Sequence, residues 1–426
     1  MHILFLSDNF PPEVNAPATR TYEHAREWVR LGHRVTVVTC APNFPQGRVF
    51  PGYRNRPLQR ETLDGIEVLR VWSFIARNEG FVKRTLDYAS YMVSATLASP
   101  LVRDVDVIVG TSPQFFTACA AAMVARLKRR PWVFEVRDLW PESIVAVGAL
   151  RPGRVLRALE ALELRLYRDA ARIVVVTDAF RERLVERGVP ASKIVVVPNG
   201  INASACRRPA DPTRLRRALG LEGKLVVGYI GTHGLAHGLD FVLRMAAEAA
   251  PRWPQLHFLF VGDGAEKPAL VEEARRLRLG NVTFHDLVPK ERVGEFLALI
   301  DIGLVPLRDR PTFRTVLPSK IFEYAALGVP VLLGVDGEAR RLVEAYGAGL
   351  FYHPENPEAF LGALARLVED PALRRRLGEG GRALARAFDR RALAQRMLSE
   401  LCGLDAATRD LHATDTGASQ PSRLAS

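Results

Sequence analysis

Lys320 and Glu323 stand one helical turn apart in a segment whose residue types suit phosphate and ribose binding. Pro318 favours a helix start, because its fixed φ fits the first helical position and its missing N–H is not needed there. A helix N-terminus attracts anions through its unpaired N–H groups and its dipole. Lys320 would add a full charge, Ser319 a hydroxyl donor and Glu323 an acceptor for ribose hydroxyls. The segment from Leu317 onward therefore predicts a nucleotide diphosphate site, although these residues alone would also fit an ordinary capped helix.

Two glycine-containing turns follow predicted strands and could bring backbone N–H groups close to a phosphate. The first contains glycines spaced GxxGxxG over residues 228–234, which differs from the GxGxxG and P-loop patterns. A dinucleotide oxidoreductase is accordingly disfavoured. With the helix start, the turns supply the candidate donor-binding residues Gly231, Thr232, His233, Gly234, Gly262, Asp263, Leu317, Ser319, Lys320 and Glu323.

Two loops of the N-terminal half concentrate polar and aromatic residues where a strand ends. One follows the first strand over residues 8–20, and the other covers residues 135–142. Ligands of open α/β sheets bind at the carboxyl ends of the strands. The candidates in these loops are Asn15, Ala16, Arg20, Arg137, Asp138, Trp140 and Glu142.

The elements that position these loops alternate short apolar strands with helices, which is typical of parallel sheets covered by helices. The pattern starts again after residues 198–200, so the sequence predicts two α/β, Rossmann-like domains over residues 1–200 and 205–385. Residues 386–404 predict a final amphipathic helix. Residues 405–426 are polar and rich in small side chains, which predicts a disordered tail.

The composition narrows the function classes. The 426 residues carry a net charge of +12, which favours phosphorylated ligands, nucleic acid or an anionic membrane, or else reflects a GC-rich genome. No basic stripe interleaved with aromatics supports nucleic-acid binding. The four cysteines form no CxxC pair, and we identify neither a signal peptide nor a membrane-spanning run. We expect a cytoplasmic protein without a disulfide framework or zinc site.

Residues 1–404 resemble a family 4 glycosyltransferase with GT-B architecture. They are particularly similar to the branch that builds bacterial surface polysaccharides, including the colanic-acid and fucosamine transferases. The order and spacing of five motifs carry the resemblance: Asp8-Asn9-Phe10-Pro11-Pro12-Glu13-Val14-Asn15-Ala16, Gly32-His33-Arg34-Val35-Thr36-Val37, Asp138-Leu139-Trp140-Pro141-Glu142, Pro198-Asn199-Gly200, and Leu317-Pro318-Ser319-Lys320 with Glu323.

The resemblance implies two Rossmann-like domains facing across a cleft and a C-terminal helix that crosses back to the N-terminal domain. The C-terminal domain would bind a nucleotide sugar, which we take to be UDP-linked, and the N-terminal domain a lipid-linked saccharide acceptor. It also implies retaining transfer with no metal and no cofactor. We assign Lys320, Asp138 and Arg137 as catalytic, and Asn15, Ala16, Arg20, Trp140 and Glu142 as acceptor-binding.

The chain departs from the family pattern at several positions. Thr315 stands where the first of two paired glutamates is usual, and Arg137 replaces a histidine. Thr232 or His233, together with His237, occupies places where Arg and Lys often bind the diphosphate. A nucleotide-sugar epimerase and a non-catalytic sugar-nucleotide-binding subunit therefore remain alternatives.

Two further expectations concern metal and membrane. Asp104 and Asp106 resemble a metal-binding DxD, but they precede a strand and so lie at the wrong sheet edge. Residues 81–100 combine basic residues with an apolar stripe, which predicts either a helix docked on the inner face of the cytoplasmic membrane or one packed on the sheet. The expected stripe is Phe81, Tyr88, Tyr91 and Met92.

Overall fold

The computed structural model describes residues 1–44, 46–75, 81–141, 153–202 and 211–417. The chain forms two compact units. One contains Met1–Pro198 together with the residues from Arg390 onward, and the other contains Asn199–Asp389.

The first unit is built on an eight-stranded sheet in the order β3-β4-β2-β1-β5-β6-β7-β8. All pairings are parallel except that of β3 with β4. The strands are β1 (His2–Leu6), β2 (Arg34–Cys40), β3 (Leu58–Leu63), β4 (Ile66–Val71), β5 (Val107–Thr111), β6 (Trp132–Val136), β7 (Arg172–Val175) and β8 (Ile194–Val196).

The helices described in the first half of the chain are α1 (Ala16–Arg30), α2 (Phe81–Ala98), α3 (Phe115–Lys128), α4 (Arg154–Asp169) and α5 (Asp178–Glu186). The central strands β1 and β5 are buried along their whole length, so both faces of the sheet are covered. One face packs on α2, α3 and α4, and the other packs on α1 and on the last helix of the chain.

The second unit contains a six-stranded parallel sheet in the order β11-β10-β9-β12-β13-β14. Its strands are β9 (Leu225–Ile230), β10 (Leu256–Val261), β11 (Val282–His285), β12 (Ile302–Pro306), β13 (Val331–Gly334) and β14 (Gly349–Phe351). Its helices are α6 (Thr213–Ala218), α7 (Leu239–Ala249), α8 (Lys267–Arg276), α9 (Lys290–Leu297), α10 (Lys320–Leu327), α11 (Glu338–Ala345), α12 (Pro357–Glu369) and α13 (Pro371–Ala387).

The last helix, α14 (Arg390–Gly417), returns to the first unit and packs on α1. Met397 and Leu401 are fully buried there. The Trp28 Nε1–H donates to the Ala394 carbonyl at 2.8 Å, and Arg390 forms an ion pair with Glu23. The helix continues past residue 404, where we expected a disordered tail to begin, and residues 418–426 lie outside the described residues.

Candidate functional site

The glycine turn after β9 lies directly against the side chain of Lys320. Gly231 has a φ of +147°, and a Cβ added there would lie 2.6 Å from both Cε and Nζ of Lys320. No side chain fits between the two. The structure therefore brings together the helix segment and the first glycine turn that the sequence singled out separately.

The second glycine turn packs on the first through backbone atoms. A Cβ at Gly262 would lie 2.0 Å from the Gly231 carbonyl oxygen, and one at Gly264 would lie 2.4 Å from the His233 carbonyl oxygen. The His233 N–H donates to the Asp263 carbonyl at 2.8 Å. Both turns are thus held as one backbone platform at the carboxyl edge of β9 and β10.

Lys320 lies against an aromatic ring and forms no salt bridge with a described residue. Its ammonium lies 4.9 Å from the centroid of the Tyr229 ring. Within the described part of the chain, it has no salt-bridge partner. Burial lowers the pKa of Lys320, while the nearby Glu323 carboxylate raises it. A partly desolvated cation without a neutralising partner attracts an anion strongly.

Tyr324 fixes the start of α10 against β9. Its hydroxyl donates to the Gly228 carbonyl at 2.9 Å and accepts from the Ile230 N–H at 3.3 Å. Ser319 is the N-cap residue, so the helix begins at Lys320, slightly later than Pro318 suggested. Leu317 packs against the core of this unit. These contacts position the helix N-terminus beside the Gly231 turn.

The His233 imidazole lies inside the protein, although its position in the glycine turn suggested contact with a ligand. The residue is completely buried, and its ring contacts Tyr229, Phe260 and Phe284. Burial and the Lys267 charge lower the pKa of His233 to about 4. Only the backbone of His233 can therefore contribute to a ligand site in this turn. Its neighbour Thr232 is exposed, and the Thr232 carbonyl accepts from the Tyr229 hydroxyl at 2.6 Å.

The remaining donor candidates surround this platform. Asp263 is exposed, and its carboxylate accepts from the Gly264 N–H at 2.8 Å. The Gly234 carbonyl accepts from the His237 N–H at 3.0 Å. Glu323 is half-buried in the first turn of α10. Burial lowers the pKa of His237 to about 4, so this imidazole is neutral near pH 7.

Arg20 in the first unit is enclosed and fully engaged. Its Nε donates to Glu135 at 2.8 Å, and its terminal nitrogens donate to the carbonyls of Pro198 at 2.6 Å and Val197 at 2.9 Å. Both charged side chains are at most 2% exposed. These contacts tie α1 to β6 and to the end of β8. Arg20 thus positions the surrounding loops, and acceptor binding by this residue stays a prediction.

Arg137 and Asp138, the other two catalytic candidates, follow β6 and act on opposite faces of the sheet. Their N–H groups both point to the Ser112 hydroxyl, at 2.7 and 3.2 Å. The Arg137 charge acts on His24 of α1, whereas the Asp138 carboxylate acts on Tyr167 of α4. A shared catalytic role for these two side chains stays a prediction.

The other acceptor candidates lie near the starts of α1 and α3. Asn15 caps α1 by accepting from the Ala18 N–H at 2.9 Å, and Ala16 is exposed at its first position. Trp140 stacks on Phe115 with ring centroids 4.4 Å apart. Glu142 lies outside the described residues.

Both halves of the chain match glycosyltransferase family models. Residues 15–200 match the glycosyl transferase 4-like domain, and residues 211–384 match the glycosyl transferases group 1. The chain belongs to the family 4 glycosyltransferases. This confirms the family that the five motifs indicated.

Known proteins resemble this glycosyltransferase along almost its whole length. WcaI of Escherichia coli (strain K12), a glycosyl transferase assigned to colanic acid biosynthesis, is 26% identical over 381 residues, which cover 86% of this chain and 92% of WcaI. The sucrose-phosphate synthase from Thermosynechococcus elongatus has a TM-score of 0.75 at 19% identity, covering 95% of this chain and 99% of its own. Anabaena HepE, solved with UDP and glucose, has a TM-score of 0.71 at 18% identity, covering 95% and 100%. The structural likeness confirms the GT-B fold.

Sequence reasoning missed several residues that build this glycosyltransferase's two sites. Tyr229 and Tyr324, which hold the loops of the candidate donor site, cannot be distinguished in the sequence from other aromatic residues of the core. His24 could have been found, because it lies four residues after Arg20 and therefore on the same face of α1. The pairing of Glu135 with Arg20 could not have been predicted, because it joins residues far apart in the chain.

Two residues of the expected membrane stripe on α2, Tyr91 and Met92, face the protein instead. Tyr91 is fully buried with its hydroxyl donating to the Val38 carbonyl at 2.7 Å, and Met92 packs on the core. The exposed apolar face carries Leu86, Val93 and Leu97. Successive positions of a helix face different sides. Because α2 is apolar on both its buried and its exposed side, the spacing of its apolar residues did not show which side packs on the sheet.

Neither a membrane-spanning helix nor a metal-binding cluster is found in the described residues. No helix there is sufficiently long and apolar to span a bilayer. No group of three or more His, Cys, Asp or Glu residues is arranged to hold a metal ion within the described ranges. In the DxD-like pair, the Asp106 carboxylate accepts from the His2 N–H at 2.7 Å, at the amino end of the sheet.

Proposed function

We propose that this glycosyltransferase moves a hexosyl group from a UDP-sugar to a lipid-linked saccharide in the synthesis of a bacterial surface polysaccharide, with retention at the anomeric carbon. The observation that carries the proposal is the Lys320 ammonium, which lies against Gly231 at the start of α10. It has a cation–π contact but no carboxylate partner among the described residues. This arrangement suits a nucleotide diphosphate.

The comparisons support the substrate classes. The relative that matches most of the chain, WcaI, is assigned to colanic acid biosynthesis, and HepE was solved with UDP and glucose. The N-terminal unit, which matches the 4-like domain, would hold the acceptor.

The chemistry needs charge stabilisation where the diphosphate departs. The bond from the anomeric carbon to the β-phosphate oxygen breaks, and its electron pair goes to that oxygen. The acceptor oxygen forms the new bond on the same face, and its proton passes to the departing phosphate. Preorganised donors at the developing charge are usually the largest catalytic contribution. Lys320 and the N–H groups at the start of α10 supply this positive charge, and we therefore propose metal-independent transfer.

The test uses the purified full chain and a panel of UDP-sugars. Binding of the donor to the folded state should raise the melting temperature. With a lipid-linked acceptor, NMR of the product should show the anomeric configuration of the donor, and EDTA should leave the rate unchanged. An inverted linkage, or a rate restored only by Mg²⁺ or Mn²⁺, would contradict the mechanism. Conversion of donor without acceptor would indicate the epimerase, and binding without turnover the non-catalytic subunit.

We further propose that the outer face of α2 contacts an anionic membrane, where a lipid-linked acceptor would reside. Leu86 is 52%, Val93 51% and Leu97 74% exposed. Their spacing places them along one side of the helix, and the exposed Lys83 lies near its start. Exposed apolar side chains with flanking basic residues are what binding to an anionic bilayer surface requires.

Flotation with anionic vesicles tests this face. Wild type should float with phosphatidylglycerol-containing vesicles at low salt, and Leu97→Glu and Lys83→Glu should reduce the floating fraction. Leu235→Glu, at an equally exposed leucine of the other unit (66%), is the matched control. Equal flotation of Leu97→Glu and wild type would remove α2 as the contact surface.

A further inference from the structure

Arg137 carries nitrogen atoms that are buried and unsatisfied. Among the residues that the structure describes, its Nε and Nη1 have no hydrogen-bond partner, although the residue itself is only half-buried. Buried side-chain nitrogens are nearly always paired, and an unpaired charged donor is especially costly. An orphaned guanidinium at the carboxyl edge of β6 therefore points to a partner that binds from outside the chain.

The neighbouring carboxylates are already occupied. Glu135 pairs through Oε1 with Arg20, and Glu23 pairs with Arg390. Oε2 of Glu135 has no hydrogen-bond partner among the described residues. The Arg20 and Arg390 charges both act unfavourably on Arg137, whereas the charge of Glu135 acts favourably. The guanidinium groups of Arg20, Arg137 and Arg390 therefore interact in one region. The two carboxylates of this region are already paired, one with Arg20 and the other with Arg390.

His24 adds a second unsatisfied group to the same place. It is 1% exposed, and neither Nδ1 nor Nε2 has a hydrogen-bond partner in the described ranges of the chain. The three arginine charges all act on this ring. A neutral imidazole has one N–H donor. His24 lies on α1 and Arg137 follows β6, so two separate elements place unsatisfied nitrogens within electrostatic reach of each other.

We propose that Arg137, with His24 beside it, forms an oxyanion site in the N-terminal unit that binds a carboxylate or phosphate group of a substrate. The proposal rests on the function proposed above, because it assumes a substrate bound at the carboxyl edge of the first sheet. The planar guanidinium matches both groups through paired N–H donors. The site would accordingly select either an acidic sugar or a phosphorylated acceptor.

Calorimetric titration of the full chain tests the site with two probes, inorganic phosphate and D-glucuronate. Saturating UDP is present throughout, so that the diphosphate position beside Lys320 is filled. Wild type should bind at least one probe, and Arg137→Gln should weaken that binding by about tenfold or more, as expected for a charged hydrogen bond. Arg137→Lys should retain part of it. Arg181→Gln, at an exposed arginine of the same unit, is the control and should change nothing.

The two probes separate the sources of the anion. Binding of glucuronate alone identifies a sugar carboxylate, and binding of phosphate alone identifies a phosphorylated group. Failure of wild type to bind either probe, or equal binding by Arg137→Gln, overturns the site. UDP affinity is measured separately, so a chain that binds the probes but not UDP refutes the proposed function and leaves the site standing.

Thermal unfolding without any anion excludes a purely structural role for Arg137. If the site is empty when no anion is present, Arg137→Gln should melt at the wild-type temperature or above, because the variant no longer buries an unpaired charge. A lower melting temperature together with unchanged probe binding would show that Arg137 serves only to balance Glu135.

Discussion

Lys320 and Arg20 both lie at the carboxyl edge of a parallel sheet, but their charges are used differently. Arg20 donates to one carboxylate and two carbonyls, all within 2.9 Å. Lys320 faces the Tyr229 ring and a glycine turn. A cation whose donors are all filled by the chain contributes to folding, whereas one held near a ring and backbone is left for a ligand. Residue type and position in the fold alone do not distinguish these two cases.

Removing the filled cation should have the largest effect on stability. Arg20→Met leaves Glu135 as an unpaired buried carboxylate, which we expect to cost about 3–5 kcal/mol in the free energy of unfolding. Urea unfolding measures it. Arg34→Met removes an arginine from the exposed pair with Glu67 and should cost less than about 1 kcal/mol. Similar losses in both variants would mean that the contacts of Arg20 are not what holds α1 to β6.

Removing the unfilled cation should act on the rate instead. Lys320→Ala deletes a donor aimed at the leaving diphosphate, and we expect kcat to fall about 10²–10³-fold. The melting temperature should stay near that of wild type, because no ion pair in the described residues is lost. Lys224→Ala, which removes an exposed donor to the Pro254 carbonyl in the same unit, is the control. A normal rate for Lys320→Ala would refute the donor site.

The contrast also shows what sequence patterns can predict. The meeting of Lys320 with Gly231 was predictable, because both follow strands of one parallel sheet and such ends lie at one edge. The ion pair of Arg20 was not predictable, because Glu135 is 115 residues away and the sequence does not show which distant residue contacts Arg20. The direction of the His233 ring was equally hidden. Its position in the turn suggested a ligand contact, but three aromatic side chains from other elements enclose it.

The fold was predictable where strands are continuous and apolar and less so at the sheet edge. β3, with the sequence Leu58–Leu63, alternates exposed and half-buried residues and was missed. Its signal was present in the turn, since Asp64 and Gly65 both have positive φ and a DG pair between two strand-like runs is typical of a hairpin. The two faces of α2 were confused because burial depends on what packs against a helix.

His233 allows the buried side of the donor loop to be tested through pH. Its pKa in the folded protein is about 4, below the usual 6.5, so the unfolded chain binds the proton more readily. This contribution to stability is present above pH 6.5 and is lost as the pH falls toward 4. The loss between pH 7 and pH 5 should be about 2 kcal/mol.

Urea unfolding at both pH values measures this loss, and His233→Phe should reduce it while keeping an aromatic ring in the cluster. His353→Phe replaces another histidine of the same unit as the control. Buried His24 and His237 also have lowered pKa values, so part of the acid sensitivity should remain. An unchanged pH dependence in His233→Phe would show that this ring is hydrated in solution.

The smallest expected effect concerns Glu323, which lies one turn beyond the cation on α10. We expect its carboxylate to accept hydrogen bonds from the ribose hydroxyls, so Glu323→Ala should weaken UDP binding by about tenfold. The exposed Glu272, replaced by alanine, is the control in the same unit. Removing the hydroxyls from the ligand gives a sharper measurement. Wild type should bind 2′,3′-dideoxy-UDP less tightly than UDP, and in Glu323→Ala that difference should disappear. If the variant retained the full difference, Glu323 would not contact the ribose, and Lys320 would be left as the charged side chain of α10 that defines the donor site.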